Sequence, residues 1–163
     1  MVDSRIGIRT SDTAISTAPA GNLRLEYLLA LAAAGLLYII TCAPAILWQD
    51  SALLTYRILH NDLTGNLGLA VAHPSYILVG MLVKQVPIGD LAHMVNLISA
   101  VFGAVAVANV YLLTMLWLGK RLAASVAAVT LAVSWTFWQH AAIAEVYTLY
   151  AATFTAELIV LLK

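Results

Sequence analysis

Apolar positions gather into four runs, 27–47, 95–118, 122–138 and 147–162, separated by short polar breaks and by one long mixed stretch, 48–94. A helix rising about 1.5 Å per residue needs roughly 17 to 25 apolar residues to cross a bilayer. The first two runs qualify by that measure, and the last two are marginal. The third gains length with Trp138 and Gln139 at the interface, and the fourth stops beside Lys163. The pattern predicts an all-α polytopic membrane protein with four transmembrane helices.

Inside the mixed stretch the periodicity shortens. From 51 to 60, Leu54, Ile58, Tyr56 and Leu59 can share one side of a helix with Arg57 and His60 toward water, as suits a helix lying on a membrane. Gly65 and Gly68 end it. A second apolar piece, 76–86, carries Lys84 and Gln85 and ends at Pro87-Ile88-Gly89-Asp90. It is too short to span, so it is expected to be interfacial or re-entrant. Residues 1–23 have no apolar period and read as a flexible cytoplasmic tail, leaving 24–163 as the membrane domain.

Composition agrees with the pattern. Hydrophobic residues make up 63% of the chain and charged residues 10%, against about 25% charged in a typical soluble domain. Mean hydropathy is +0.93. The net charge of zero argues against a nucleic-acid partner. The lone cysteine, Cys42, excludes an internal disulfide and a cysteine metal cluster.

Charge bears instead on topology. Arg5, Arg9 and Arg24 precede the first run and Lys120-Arg121 joins the second to the third, which places both flanks on the cytoplasmic side of an inner membrane. Trp48, Trp135, Trp138, Tyr147 and Tyr150 then form an outer aromatic belt, and the loop 48–94 faces outside. The first run is read as an anchor, not a cleaved signal peptide, because it exceeds the usual 7 to 15 apolar residues.

Candidate chemistry concentrates on the outer side. Asp50 follows the first run and precedes the predicted surface helix, so it could serve as that helix's N-cap or as a site residue. His73 beside Pro74 could mark a turn, and Arg57 and Lys84 could snorkel. His140 and Glu145 lie in the second outer connection, where Glu145 could cap the last helix. Glu157 stands inside an apolar run and is a functional candidate on that ground. The chain carries no phosphate-binding loop, dinucleotide fingerprint, zinc-protease helix or nucleophile elbow.

Four segments in order, "APAILWQDS" (43–51), "AHPSY" (72–76), "GDLAHMVNLISAVFGAVAVANVYLL" (89–113) and "FWQHAAIAEVYTLYA" (137–151), carry a resemblance. With them the chain resembles the bacterial protein O-mannosyltransferase-like membrane family, of the GT-C type glycosyltransferases. Asn96, Ser99, Gly103 and the run Ala144-Glu145-Val146-Tyr147 stand where the family pattern has them.

The resemblance implies an inverting transferase that moves a sugar from a polyprenyl-phosphate donor to an acceptor hydroxyl, on a protein or glycan, at the outer face. It makes Asp50 the general base. His73, Arg57, His140, Glu145 and Tyr147 are then substrate-binding candidates, of which Arg57 and His140 rest on their side of the membrane and their chemistry alone. No cofactor is expected, the lipid-linked sugar being a substrate. Where the family continues Asp-Ser-Gly-Glu this chain has Asp50-Ser51-Ala52-Leu53, and its histidine motif lacks the usual second proline and glycine. No metal is therefore expected on a paired acidic motif. Family members continue through further membrane helices, so the chain is expected to be an N-terminal portion, inactive without C-terminal partners. The other reading is a non-catalytic module that binds a lipid phosphate or a partner protein, with Asp50 as a cap.

Overall fold

The computed structural model describes residues 22–162 apart from 49, 67, 70 and 87. Residues 1–21 of the predicted tail and Lys163 lie outside the described residues, residues 22 and 23 of that tail open the first helix, and Glu157 is exposed on the last helix. The described residues form seven helices and no strand: α1 (Leu23–Thr41), α2 (Ser51–His60), α3 (Pro74–Val83), α4 (Leu91–Leu118), α5 (Arg121–Val133), α6 (Trp135–Ala142) and α7 (Tyr147–Leu161).

Among the described residues only α1 and α4 are long and apolar enough to cross a membrane by themselves. The third predicted span is broken at Ser134, where α5 and α6 meet at 61° and count as one crossing only if taken together. The break has a local cause. The Ser134 hydroxyl donates to the Leu131 carbonyl at 3.0 Å, competing with the helical ladder, and the Tyr38 hydroxyl donates to the freed Ala132 carbonyl at 3.0 Å. The first predicted span is also displaced. α1 starts at Leu23, with the Asn22 side chain accepting from the Leu25 amide at 3.3 Å, and stops at Thr41. Pro44 then keeps the following residues out of a helix.

α4 is the axle on which α1, α5, α6 and α7 pack. Its buried face is built of small residues, Ala100, Gly103, Ala104 and Ala108 among them, which lets neighbouring backbones come close. A Cβ on Gly103 would lie 2.9 Å from the Ala141 Cβ and 3.2 Å from the Tyr38 ring, so a glycine there is what admits α6. Polar residues then pin the bundle. Asn109 donates to the Ala152 carbonyl (3.0 Å) and the Thr155 hydroxyl (3.1 Å) of α7 and accepts from the Tyr27 hydroxyl (3.1 Å) of α1. At the end of the bundle away from α2 and α3, Arg121 pairs with Glu26 at 2.9 Å while the Tyr111 hydroxyl donates to the same carboxylate at 2.8 Å.

α2 and α3 pack together over one end of α4, burying Leu54, Ile58, Tyr76 and Ile77 against Val95 and Ile98. The Lys84 ammonium closes the end of α2 by donating to the Ile58 and Leu59 carbonyls (3.0 and 3.2 Å) and to Asn61 Oδ1 (2.6 Å). The predicted faces of α2 need correcting. Tyr56 and Leu59 are exposed, whereas Arg57, expected toward water, is 5% exposed. Its guanidinium is turned inward because backbone carbonyls of the following loop need donors.

Candidate active site

After α1 the chain runs extended toward α2, held to α4 by side chains that the apolar pattern does not reveal. Asn96 donates to the Ala43 and Ala45 carbonyls at 2.9 and 3.0 Å, and His93 Nδ1 lies 2.9 Å from the Ala43 oxygen. The Ala43 amide donates to the Ala142 carbonyl at 2.8 Å, which joins this segment to the end of α6. The same Asn96 accepts from the Ala144 amide at 2.8 Å. One turn along α4, the Ser99 hydroxyl accepts from the Glu145 amide and donates to the Glu145 carbonyl, both at 3.0 Å. Tyr76 of α3 reaches the same hydroxyl at 2.9 Å and donates to the Val95 carbonyl at 3.0 Å. Asn96 and Ser99 thus bring the Asp50 segment, α3 and the α6–α7 connection to one place.

Asp50 occupies the N-cap position of α2 with φ −79° and ψ −4°, but its side chain makes no capping hydrogen bond and the residue is exposed. Its charge and its backbone N–H both act on the carboxyl of Glu145, in opposite directions. Glu145 does not cap α7, whose N-cap residue is Val146; it is 1% exposed and faces inward. Burial pushes the Glu145 carboxyl up to about 6, the Asp50 charge pushes the same way, and the Asp50 backbone N–H partly offsets both. Glu145 Oε2, Ser51 Oγ, Thr148 Oγ1 and His140 Nδ1 are buried without a hydrogen-bond partner among the described residues. Such atoms mark a polar interior suited to bind something beyond the protein's own groups.

A groove of about 460 Å³ runs beside this polar interior, with His73 and Ser75 at the start of α3 facing Tyr147, Tyr150 and Thr153 of α7. Tyr76 lines it and also bonds Ser99, so the groove shares a wall with the hydroxyl that holds the Glu145 main chain. His73 is exposed and left-handed, φ 49° and ψ 52°, directly before Pro74, which disfavours the right-handed helical region for it. The His140 ring packs on Tyr147 with centroids 4.7 Å apart. His73 and Tyr147 therefore both line the groove, and His140 packs behind it on Tyr147.

Arg57 is placed differently. Its terminal nitrogens donate to the Ala72 carbonyl (2.7 Å) and the Leu63 carbonyl (2.9 Å), with Asp62 3.9 Å from Nε. It holds the peptide that precedes His73. Asn96, Ser99, Ser51 and Thr148 were not foreseen as site residues; the Asn96 and Ser99 spacing, one polar stripe on an apolar helix, is the signal that points to them. Among the described residues no group of three or more His, Cys, Asp or Glu side chains is arranged to hold a metal ion.

Residues 64–163 match a family model described as the protein O-mannosyl-transferase TMEM260 N-terminal domain. His73, His140, Glu145 and Tyr147 fall inside the matched region, while Asp50 and Arg57 precede it. No curated protein and no solved structure matches the chain. Since the match spans more than half of its residues, the chain belongs to the protein O-mannosyl-transferase TMEM260 N-terminal domain family.

Proposed function

We propose that this chain is the N-terminal, base-carrying portion of a membrane glycosyltransferase of the GT-C type. It transfers a sugar from a polyprenyl-phosphate donor to an acceptor hydroxyl on a protein or glycan, at the outer face of an inner membrane. In this reading the tail is cytoplasmic, α1, α4, the bent pair α5–α6 and α7 cross the bilayer, and further C-terminal helices complete the lipid-sugar pocket. Asp50 takes the proton of the acceptor hydroxyl as its oxygen attacks the anomeric carbon. The bond from that carbon to the phosphate oxygen breaks with inversion, and polyprenyl phosphate leaves with the electron pair. His73 at the groove mouth offsets the growing phosphate charge, and Tyr147 and His140 form the wall against which the substrate rests.

The observation that carries the reading is the Asp50 carboxylate, exposed and free of any capping bond at a position where an aspartate would ordinarily be spent on the helix. Asp50→Asn in the full-length protein tests it, with polyprenyl-phosphate mannose and a serine-containing peptide as substrates. Loss of a general base lowers turnover by about 10²- to 10⁴-fold, with membrane insertion unchanged. Asparagine is itself a good N-cap. Turnover near the wild-type level therefore overturns the assignment. It favours instead a non-catalytic module that binds a lipid phosphate or a partner protein, a reading that gains weight from the family match starting after Asp50, at residue 64.

A further inference from the structure

We propose that the cleft between α1, α4 and α5 binds an anionic phospholipid, with one acyl chain lying in the cleft and the phosphate meeting Arg24 and Lys120 at its mouth. The site is separate from the groove between α3 and α7 and does not depend on Asp50 being the base.

The cleft encloses about 430 Å³ between Leu29, Ala33 and Leu37 of α1, Val107 of α4, and Val129 and Val133 of α5. Ala33 and Val129 are exposed, so it opens to the surface of the bundle. One end is polar, where Glu26 and Tyr111 line it and Arg121 pairs with Glu26 at 2.9 Å. The other end is shut. There the Tyr38 hydroxyl ties α1 to the Ala132 carbonyl at 3.0 Å, and α6, turned by its 61° bend, sets Phe137 against the Tyr38 ring and bonds Trp138 to Thr41 at 2.8 Å. From Glu26 to Leu37 a helix rises about 16 Å. That is roughly half of a hydrocarbon core about 30 Å thick. A cleft of this length seats an acyl chain from one leaflet, whereas a membrane-crossing helix would overrun its closed end.

Charge at the polar end selects the kind of lipid. α1, α5 and the connection from α4 to α5 carry the cations Arg24, Lys120 and Arg121 and the carboxylate Glu26, all at this end. Glu26 is engaged by Arg121 and by the Tyr111 hydroxyl at 2.8 Å. Arg24 and Lys120 are exposed and pair with no carboxylate among the described residues. Basic pockets between membrane helices favour anionic headgroups. Trp117, 77% exposed near the same end of α4, stands where an interfacial ring marks the headgroup level.

Native mass spectrometry of the full-length protein tests the proposal, after release from nanodiscs holding equal amounts of phosphatidylglycerol and phosphatidylcholine with the same chains. Since each cation contributes about fivefold, one phosphatidylglycerol is expected to be retained roughly 20-fold over phosphatidylcholine. Arg24→Gln and Lys120→Gln should each cut that preference about fivefold and together abolish it. Ala33→Phe and Val129→Phe fill the cleft from opposite walls, at exposed positions outside the buried core, and each should remove the retained lipid of either kind.

Equal retention of the two lipids by the wild type, a preference that survives the double charge variant, or a lipid still held in both filled variants overturns the proposal. So does the absence of any retained lipid, the result expected if a further helix of the full-length protein covers the cleft. Should Ala33→Phe fail to insert, Val129→Phe decides alone.

Discussion

Arg57 carries one buried charge against three oxygen partners, and each is part of the loop that delivers His73. Removing it with Arg57→Ala strands the Ala72 and Leu63 carbonyls. Hydrogen bonds from charged donors contribute about 1.5–3 kcal/mol each net, so a loss of about 3 kcal/mol is expected. Chemical denaturation in detergent checks the loss, and proteolysis of the 61–73 loop checks its location. Arg57→Lys should restore part of the stability, since an ammonium can reach one carbonyl but cannot fork to two. The amphipathic pattern misplaced this residue because periodicity treats an arginine as solvent-facing, whereas loop carbonyls distant in sequence claimed it. Glu145 was legible as a candidate, but its partner was not: no local spacing relates it to Ser99, which holds its main chain. The free carboxylate of Asp50 was likewise invisible, since every sequence cue at that position also fits an ordinary cap.

At the scale of elements, the long apolar runs located α1 and α4, although Pro44 inside the first run ends α1 at Thr41, short of the run's end. The run through 122–138 concealed the 61° bend, since Ser134 is one polar residue among apolar ones and its effect depends on Tyr38 of α1 accommodating the broken ladder. Packing of α6 on α4 depends equally on Gly103. Gly103→Val should push α6 off α4 and lower stability by about 1–3 kcal/mol, the usual cost of overpacking. Thermal unfolding in detergent reads the cost. The Trp138 indole, which donates to the Thr41 hydroxyl at 2.8 Å, should report the displacement as a fluorescence shift. Gly103→Ala, with less to accommodate, should do less.

For the molecule as a whole, the buried Glu145 links stability to pH. Its folded-state carboxyl, at about 6, lies above the ordinary 4.5, so the folded protein binds this proton more tightly than the unfolded chain. The contribution is fully present below about pH 4.5 and is lost as pH rises through about 6. The thermal midpoint of the wild type should therefore fall between those values, and Glu145→Gln, which cannot ionise, should remove that part of the fall. A slope unchanged in the variant would place the titration elsewhere.

The ties from Asn96 and Ser99 also order events in time. Asp50 leaves the ribosome with α2 already able to form, yet Glu145, whose main chain Ser99 holds, arrives only after α4, α5 and α6 have been made. At translation rates of about 5–20 residues per second, that interval is on the order of 5–20 s. Throughout it the first loop must persist in the membrane as an unfinished intermediate, open to quality-control proteases. The polar interior around Glu145 is thus assembled late in biogenesis, and variants that weaken the α4 ties should first reveal themselves as low protein abundance.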